Sequence, residues 1–157
     1  MKLGRRLRRT KGGQYQLRLS KAERDLLRSL PGQVRDLIDS TDPDDPSVRR
    51  LFPPAYRNEE KAEADYQSLM HDDLLEHHRQ ALSVMEETID ANRLDEEQVV
   101  SWLSALNELR LVLGTNLDVS EGSQPVAPSD PRAPGLALYG YLSWLQEQVV
   151  EALAASL

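Results

Sequence analysis

Residues 95–113 are the segment that most restricts the fold, because apolar side chains cover nearly every side of the helix that they predict. The apolar positions are Val99, Val100, Trp102, Leu103, Leu106, Leu109, Val112 and Leu113. Asp95 stands where an N-cap residue would accept a hydrogen bond from the first turn. A helix that is apolar almost all round is usually buried, so the sequence predicts a bundle with this helix at its centre.

Other segments show the single apolar stripe of a helix that packs on one side. Ser20-Lys21-Ala22-Glu23 is a capping box and begins the first helix, which Pro31 is expected to kink or restart. Amphipathic helices are also predicted over residues 58–70 and 72–91. Gly114–Pro134 contains four prolines, so residues 114–133 are expected to form a flexible connection. The final helix would begin at Pro134, and its stripe is Leu138, Leu142, Leu145, Val149 and Leu153.

Residues 1–19 predict a β-hairpin. Alternate side chains of a strand share a face, and a three-residue Lys11-Gly12-Gly13 turn places Leu7 opposite Leu17 on one apolar face. A glycine in that turn is free to adopt the left-handed conformation. A chain of 157 residues fits one domain. We therefore predict a mainly α fold over residues 1–157, a bundle of about five helices with an N-terminal β-hairpin.

Charge is divided unevenly along the chain. Residues 1–40 contain eleven Lys or Arg and four Asp or Glu, a net charge of +7, whereas the other 117 residues contain eight and twenty-two, a net charge of −14. On the hairpin, Arg6, Arg8 and Arg18 are expected to form the solvent-exposed face. This basic face would bind an acidic protein surface or, as a second alternative, nucleic acid. The third alternative is that it packs beside the acidic body of its own bundle.

The segment Arg49–Tyr56 contains two prolines that do not fit a helix, and it holds the one Phe of the chain. One interpretation is an exposed docking peptide, in which Arg49, Arg50, Phe52 and Tyr56 contact a partner. The other is a rigid connector that Phe52 and Tyr56 fasten onto the bundle, because aromatic side chains favour burial.

Residues suited to catalysis are few. Cysteine is absent, and the chain has no glycine-rich phosphate loop, no Gly-x-Ser-x-Gly elbow and no helix with the two-histidine zinc spacing. All three histidines lie between His71 and His78; Asp73 and His77 are one helical turn apart, but they do not complete a metal-ligand set. His78 falls on the apolar stripe and is expected to be a packed core residue. We therefore expect no enzyme activity, no cofactor and no metal, with a metal-dependent enzyme as the remaining alternative.

The longest apolar run is much shorter than the ~18 residues that a membrane span requires, and the basic N-terminus lacks the apolar stretch of a signal peptide. The sequence therefore predicts a cytoplasmic protein that does not enter a membrane.

Several motifs together resemble an actinobacterial family of unknown function. They are the hairpin with glycine before Tyr15-x-Leu17, the Leu26-Leu27 helix, Arg50-Leu51-Phe52-Pro53-x-x-Tyr56 and the Asp72-Asp73-Leu74 helix start. The resemblance implies a helical regulatory protein, often encoded beside the adaptor of the Clp protease and a metal-dependent desulfurating peptidase. It also implies, for some members, transcriptional regulation in stress responses. A redox-sensing role based on a cysteine pair does not fit this cysteine-free chain.

These observations predict a non-enzymatic regulatory or interaction protein. We expect it to act in transcription under stress through a protein partner, either a sigma factor or RNA polymerase. The alternative is an accessory factor of Clp-type proteolysis or of a neighbouring peptidase, whose partner would be a protease adaptor.

Overall fold

The structure, a computed structural model, describes residues 4–40, 42, 45–52, 59–117 and 126–155. Its strands are β1 (Leu7–Arg9), β2 (Tyr15–Leu17) and β3 (Arg93–Leu94). Its helices are α1 (Lys21–Arg28), α2 (Leu30–Ser40), α3 (Glu60–Glu87), α4 (Glu96–Asn116) and α5 (Ala133–Ala154), and Arg49–Leu51 form a 3₁₀ turn. The prediction of a mainly α protein with five helices and an N-terminal hairpin is confirmed.

The hairpin has the predicted register and turn. Leu7 lies opposite Leu17, and Thr10 and Gln14 bond across a turn made by Lys11, Gly12 and Gly13. Gly13 has a φ of 83°, a conformation that side chains with a Cβ rarely adopt.

A third strand, β3, was not predicted. It pairs antiparallel with β2, so that Tyr15 lies opposite Leu94 and Gln16 opposite Arg93. The sheet order is β1-β2-β3, and the strand comes from the turn between α3 and α4. Two residues are too few to show an alternating pattern in the sequence, which explains the omission.

The first helical region breaks where Pro31 predicts a break. The Ser20–Glu23 capping box begins α1, which ends at Arg28, and α2 restarts at Leu30 with Pro31 in its first turn, where a missing N–H costs nothing.

Helix α3 corrects the sequence prediction, because residues 60–87 form one continuous helix instead of two separate segments. Asp72 and Asp73 were interpreted as the start of a second helix, and they lie within this helix instead. No proline or glycine occurs between residues 60 and 87, so the backbone can continue without a break.

Helix α4 occupies the centre, as predicted. It packs against α2, α3, α5 and the 3₁₀ turn. Trp102, Leu106 and Ala105 are fully buried, and the Trp102 indole N–H donates to Thr88 Oγ1 at 2.7 Å. Asp95 forms a capping box with Gln98 at the start of the helix.

Residues 114–133 were predicted to form a flexible connection, and residues 118–125 of that prediction lie outside the described residues. Helix α4 continues to Asn116, and Ala127–Ala133 form hydrogen-bonded turns immediately before α5. Pro134 lies in the first turn of α5, as predicted, and Leu142, Leu145 and Val149 of its apolar stripe are buried. Among the described helices, none is both long enough and apolar enough to cross a bilayer.

Candidate protein-binding surface

The three-stranded sheet separates apolar from basic side chains. Its inner face carries Leu7, Tyr15, Leu17 and Leu94, which are all buried in the core. Its outer face carries the exposed arginines Arg8, Arg18 and Arg93, which we call the outer arginines. Arg8 and Arg93 flank Gln16 in one row across the strands, and Arg18 continues β2 by donating its backbone N–H to the Arg6 carbonyl at 2.8 Å.

The outer arginines contact no carboxylate within the described part of the chain. Most arginines of the helical body do: Arg28 bonds Asp90 at 2.7 Å, Arg35 bonds Glu86 at 3.2 Å and Arg79 bonds Asp39 at 2.6 Å. These three helical arginines are therefore paired with carboxylates, whereas the outer arginines remain available to a ligand. Arg93, which belongs to the unpredicted strand, was not identified from the sequence.

Arg6 was predicted to share this exposed face, and that prediction is wrong. Its Nε lies 2.9 Å from a Glu23 carboxylate oxygen, its guanidinium lies 5.4 Å from the centre of the Trp144 ring, and only 18% of its side chain is exposed. Strand alternation identified the correct face. It gave no information on α1 and α5, which cover this end of β1 and bring Glu23 and Trp144 against Arg6.

Glu23 stays ionised beside Arg6. Partial burial raises its pKa, but hydrogen bonds from Tyr141 and Arg6 lower it more, so the pKa lies below its ordinary value. The Tyr141 hydroxyl donates to Glu23 Oε2 at 2.6 Å. Arg6 and Glu23 thus cancel each other's charge and fasten the hairpin to α1 and α5.

Residues 49–52 are fastened onto the helical bundle through Phe52. Leu51 and Phe52 are buried, and the Phe52 ring packs against His71 and His78 with centroid separations of 5.2 and 5.5 Å. Burial contradicts the alternative in which Phe52 is exposed for docking. Arg49 and Arg50 are exposed, and Tyr56 lies outside the described residues.

A buried polar pair, unpredicted from the sequence, holds this connector. His78 Nδ1 lies 2.6 Å from Glu108 Oε1, and His78 Nε2 lies 2.8 Å from the Leu51 carbonyl oxygen. A carbonyl only accepts, so Nε2 carries a proton and donates to Leu51, and a further proton lies between Nδ1 and Glu108. Both ring nitrogens are therefore engaged, and His78 is the packed core histidine that the sequence predicts.

Burial lowers the His78 pKa, but the hydrogen bond and charge of Glu108 raise it more, so the pKa lies above its ordinary value. Burial raises the pKa of Glu108, and the contact with His78 offsets this only in part. The folded protein thus binds the shared proton more tightly than an exposed pair would.

Asp73 and His77, considered as metal ligands in the sequence, are exposed on α3. Within the described ranges, no three His, Asp or Glu side chains are grouped closely enough to hold a metal ion.

The chain is 27% identical to the oxidative stress regulator AosR of Mycobacterium tuberculosis over 184 residues, which cover 92% of this chain and 84% of that protein. The protein of the same name from Mycobacterium bovis matches equally well. No solved structure matches the chain. A family model described as domain of unknown function DUF2017 matches residues 4–153, and the chain therefore belongs to that family.

Proposed function

We propose that this protein is a non-enzymatic regulator of the response to oxidative stress, and that its outer arginines bind an acidic surface on a protein partner. The observation that carries the proposal is the contrast between the outer arginines, which contact no described carboxylate, and the paired arginines of the helices. The regulatory role is supported by the mycobacterial relatives, which are named oxidative stress regulators. The partner class is the transcription machinery, either a sigma factor or RNA polymerase.

Three exposed guanidinium groups on one rigid face suit an acidic protein surface. Arginine donates up to five hydrogen bonds and pairs with carboxylates in a planar, bidentate geometry. Such charges accelerate encounter with an acidic partner over distances of ~8 Å at physiological ionic strength. The sheet is anchored to the core through Tyr15 and Leu17, so little motion is lost when it binds.

A protein partner fits this surface better than nucleic acid. Single strands are bound by aromatic side chains interleaved with basic ones, and here Tyr15 is wholly buried on the opposite face of the sheet. The net charge of the chain is −7, which would repel a polyanion approaching the molecule as a whole.

The test replaces the outer arginines with glutamine in one variant, Arg8→Gln, Arg18→Gln and Arg93→Gln. Wild-type and variant proteins carry the same affinity tag, are expressed in the native host, and are captured after cross-linking for mass spectrometry. The control variant is Arg28→Gln, Arg79→Gln and Arg132→Gln, which removes the same charge from arginines that are paired with Asp90, Asp39 and Asp130.

We expect wild type and control to retain a sigma factor or RNA polymerase and the outer variant to lose most of it. Raising the salt concentration should weaken capture by wild type more than residual capture by the outer variant. Equal capture by all three proteins would refute the role of the sheet. Capture of a protease adaptor in place of the transcription machinery would refute the partner class and favour a role in proteolysis.

A further inference from the structure

A polar cleft lies where the sheet meets α1, beside the outer arginines. It has a volume of about 510 Å³. Its polar lining comes from three places in the chain, namely β1–β2, the start of α1 and the turn before β3: Arg6, Gln16, Arg18, Ser20, Glu23, Arg24 and Asn92.

The residues that line the cleft have a net positive charge. Glu23 is the one acidic residue in it, and this carboxylate is already occupied by Arg6, the Ser20 backbone N–H and the Tyr141 hydroxyl. Arg18 contacts no described carboxylate. The cleft therefore contains three guanidinium groups against one carboxylate, a net charge of +2.

Arg24 makes its hydrogen bonds to neutral acceptors, and the carboxylate that feels its charge, Asp90, does not line the cleft. Its guanidinium donates to the carbonyls of Ile89 at 2.5 Å, Ala91 at 2.9 Å and Leu19 at 3.3 Å, and to Asn92 Oδ1 at 3.3 Å. Carbonyl dipoles fix the position of the group but leave its unit charge in place. Because the four bonds use four of the five N–H groups of arginine, one N–H remains for a ligand.

Further donors remain at the wall of the cleft. Ser20 Oγ accepts from the Glu23 backbone N–H, which leaves the hydroxyl proton of Ser20 free to donate. The Asn92 side chain accepts from Arg24 through Oδ1, and its amide N–H groups donate to no described residue. The cleft thus combines the guanidinium groups of Arg18 and Arg24 with neutral donors.

We propose that this cleft binds the dianionic phosphate group of a phosphate monoester. A dianion matches the net charge of +2, and its three terminal oxygens accept from the arginine, hydroxyl and amide donors described above. The phosphate belongs either to a free small molecule or to a phosphorylated side chain. This site does not depend on the proposed protein partner, because a small anion alone is sufficient to detect it.

The probe is inorganic phosphate, titrated at about pH 7.5 into the ¹⁵N-labelled full chain, with binding followed by amide chemical shifts. We expect saturable shifts confined to residues 16–24 and 92. Acetate, with one negative charge, should bind about tenfold more weakly than phosphate. Shifts that fail to saturate, or that spread over every basic residue, would overturn the proposal.

The main variant is Asn92→Asp, which keeps an oxygen for Arg24, places a negative charge in the cleft and removes the amide donor. It should weaken phosphate binding about tenfold. Asn107→Asp on the exposed side of α4 is the control with the same net charge, and it should bind phosphate within about twofold of wild type. Equal losses in both variants would mean that only the overall charge matters, and the proposal would fail.

A second pair of variants covers the case in which Asn92→Asp does not fold. Arg18→Gln, which lines the cleft, should weaken phosphate binding about tenfold, whereas Arg8→Gln, on the same sheet face but outside the cleft, should not. Glycerol phosphate and a phosphoserine peptide are then compared as ligands. Binding of glycerol phosphate alone identifies a free small molecule, and tighter binding of the peptide identifies a phosphorylated side chain. Binding of neither overturns the site.

Discussion

Replacement of Glu108 by alanine tests the buried pair that holds the 49–52 connector. The Glu108 side chain is 2% exposed and His78 is its hydrogen-bonding partner at 2.6 Å. The alanine variant removes that partner, leaves a void beside the His78 ring and leaves Nδ1 without an acceptor. Breaking a buried pair from one side costs about 3–5 kcal/mol of the free energy of unfolding. Glu76→Ala, an exposed position on α3, should change it by less than ~0.5 kcal/mol.

Glu108→Gln removes the charge of Glu108 but keeps the size and shape of the side chain. A glutamine amide can donate to Nδ1 while His78 Nε2 still donates to the Leu51 carbonyl, so all described hydrogen bonds have a neutral equivalent. We expect a loss of about 1 kcal/mol, well below that of alanine. The double variant His78→Leu, Glu108→Met should be more stable than the sum of the single losses predicts, because it leaves no buried polar group alone.

The His78–Glu108 pair also determines whether the free energy of unfolding rises or falls with pH. The folded pKa of His78 lies above its ordinary value of 6.5, so its contribution to stability is complete below that pH and is lost as pH rises through the folded pKa. The Glu108 pKa is also raised above its ordinary 4.5, so stability falls with rising pH there as well. Glu108→Gln should reduce this fall.

The assay is equilibrium unfolding in urea, followed by the fluorescence of the two tryptophans, at a series of pH values. The free energy of unfolding comes from the midpoint and the slope. A loss below ~1 kcal/mol in Glu108→Ala would contradict the geometry of the pair. Stability that rises between neutral and alkaline pH, in wild type but not in Glu108→Gln, would contradict the raised pKa values.

Trp102→Ala should cost about 3–5 kcal/mol, because Trp102 is 1% exposed at the centre of the bundle, and a thermal midpoint equal to that of wild type would contradict the central position of α4. Gly13→Ala should cost about 1–2 kcal/mol by forcing a Cβ into a positive-φ turn, whereas Gly12→Ala should cost less, as urea unfolding will show. Arg6→Gln should destabilise by about 1–2 kcal/mol through the loss of Glu23 and Trp144 contacts, whereas Arg8→Gln should change stability by less than ~0.5 kcal/mol; equal effects would contradict the distinction between Arg6 and the outer arginines.

Features that depend on neighbouring residues were predictable from the sequence. The hairpin register follows from side-chain alternation and the turn glycines. The capping box at Ser20 follows from the glutamate three residues later, the N-cap at Asp95 from its place before the apolar run, and the burial of Trp102 from the helical period. Each of these is decided by contacts within one element or between adjacent ones.

Features that depend on distant residues were not predictable. His78 and Glu108 are separated by 30 positions, and no spacing rule relates two helices before their packing is known. The same applies to Arg6, whose partner Trp144 lies on the last helix. The wrong division of α3 had a different cause, because acidic residues are frequent at helix starts and Asp72-Asp73 has that local pattern.

The outer face of the sheet is complete only when β3 has paired with the hairpin. Arg8 and Arg18 are brought together by a short hairpin, which forms from local contacts, but Arg93 follows α1, α2 and α3 in the chain and joins them only through a long-range strand pairing. An emerging or partly unfolded chain therefore presents an incomplete set of cations. A partner that requires all three arginines would bind the folded protein and not its folding intermediates. Binding to the sheet would therefore require that the fold is complete.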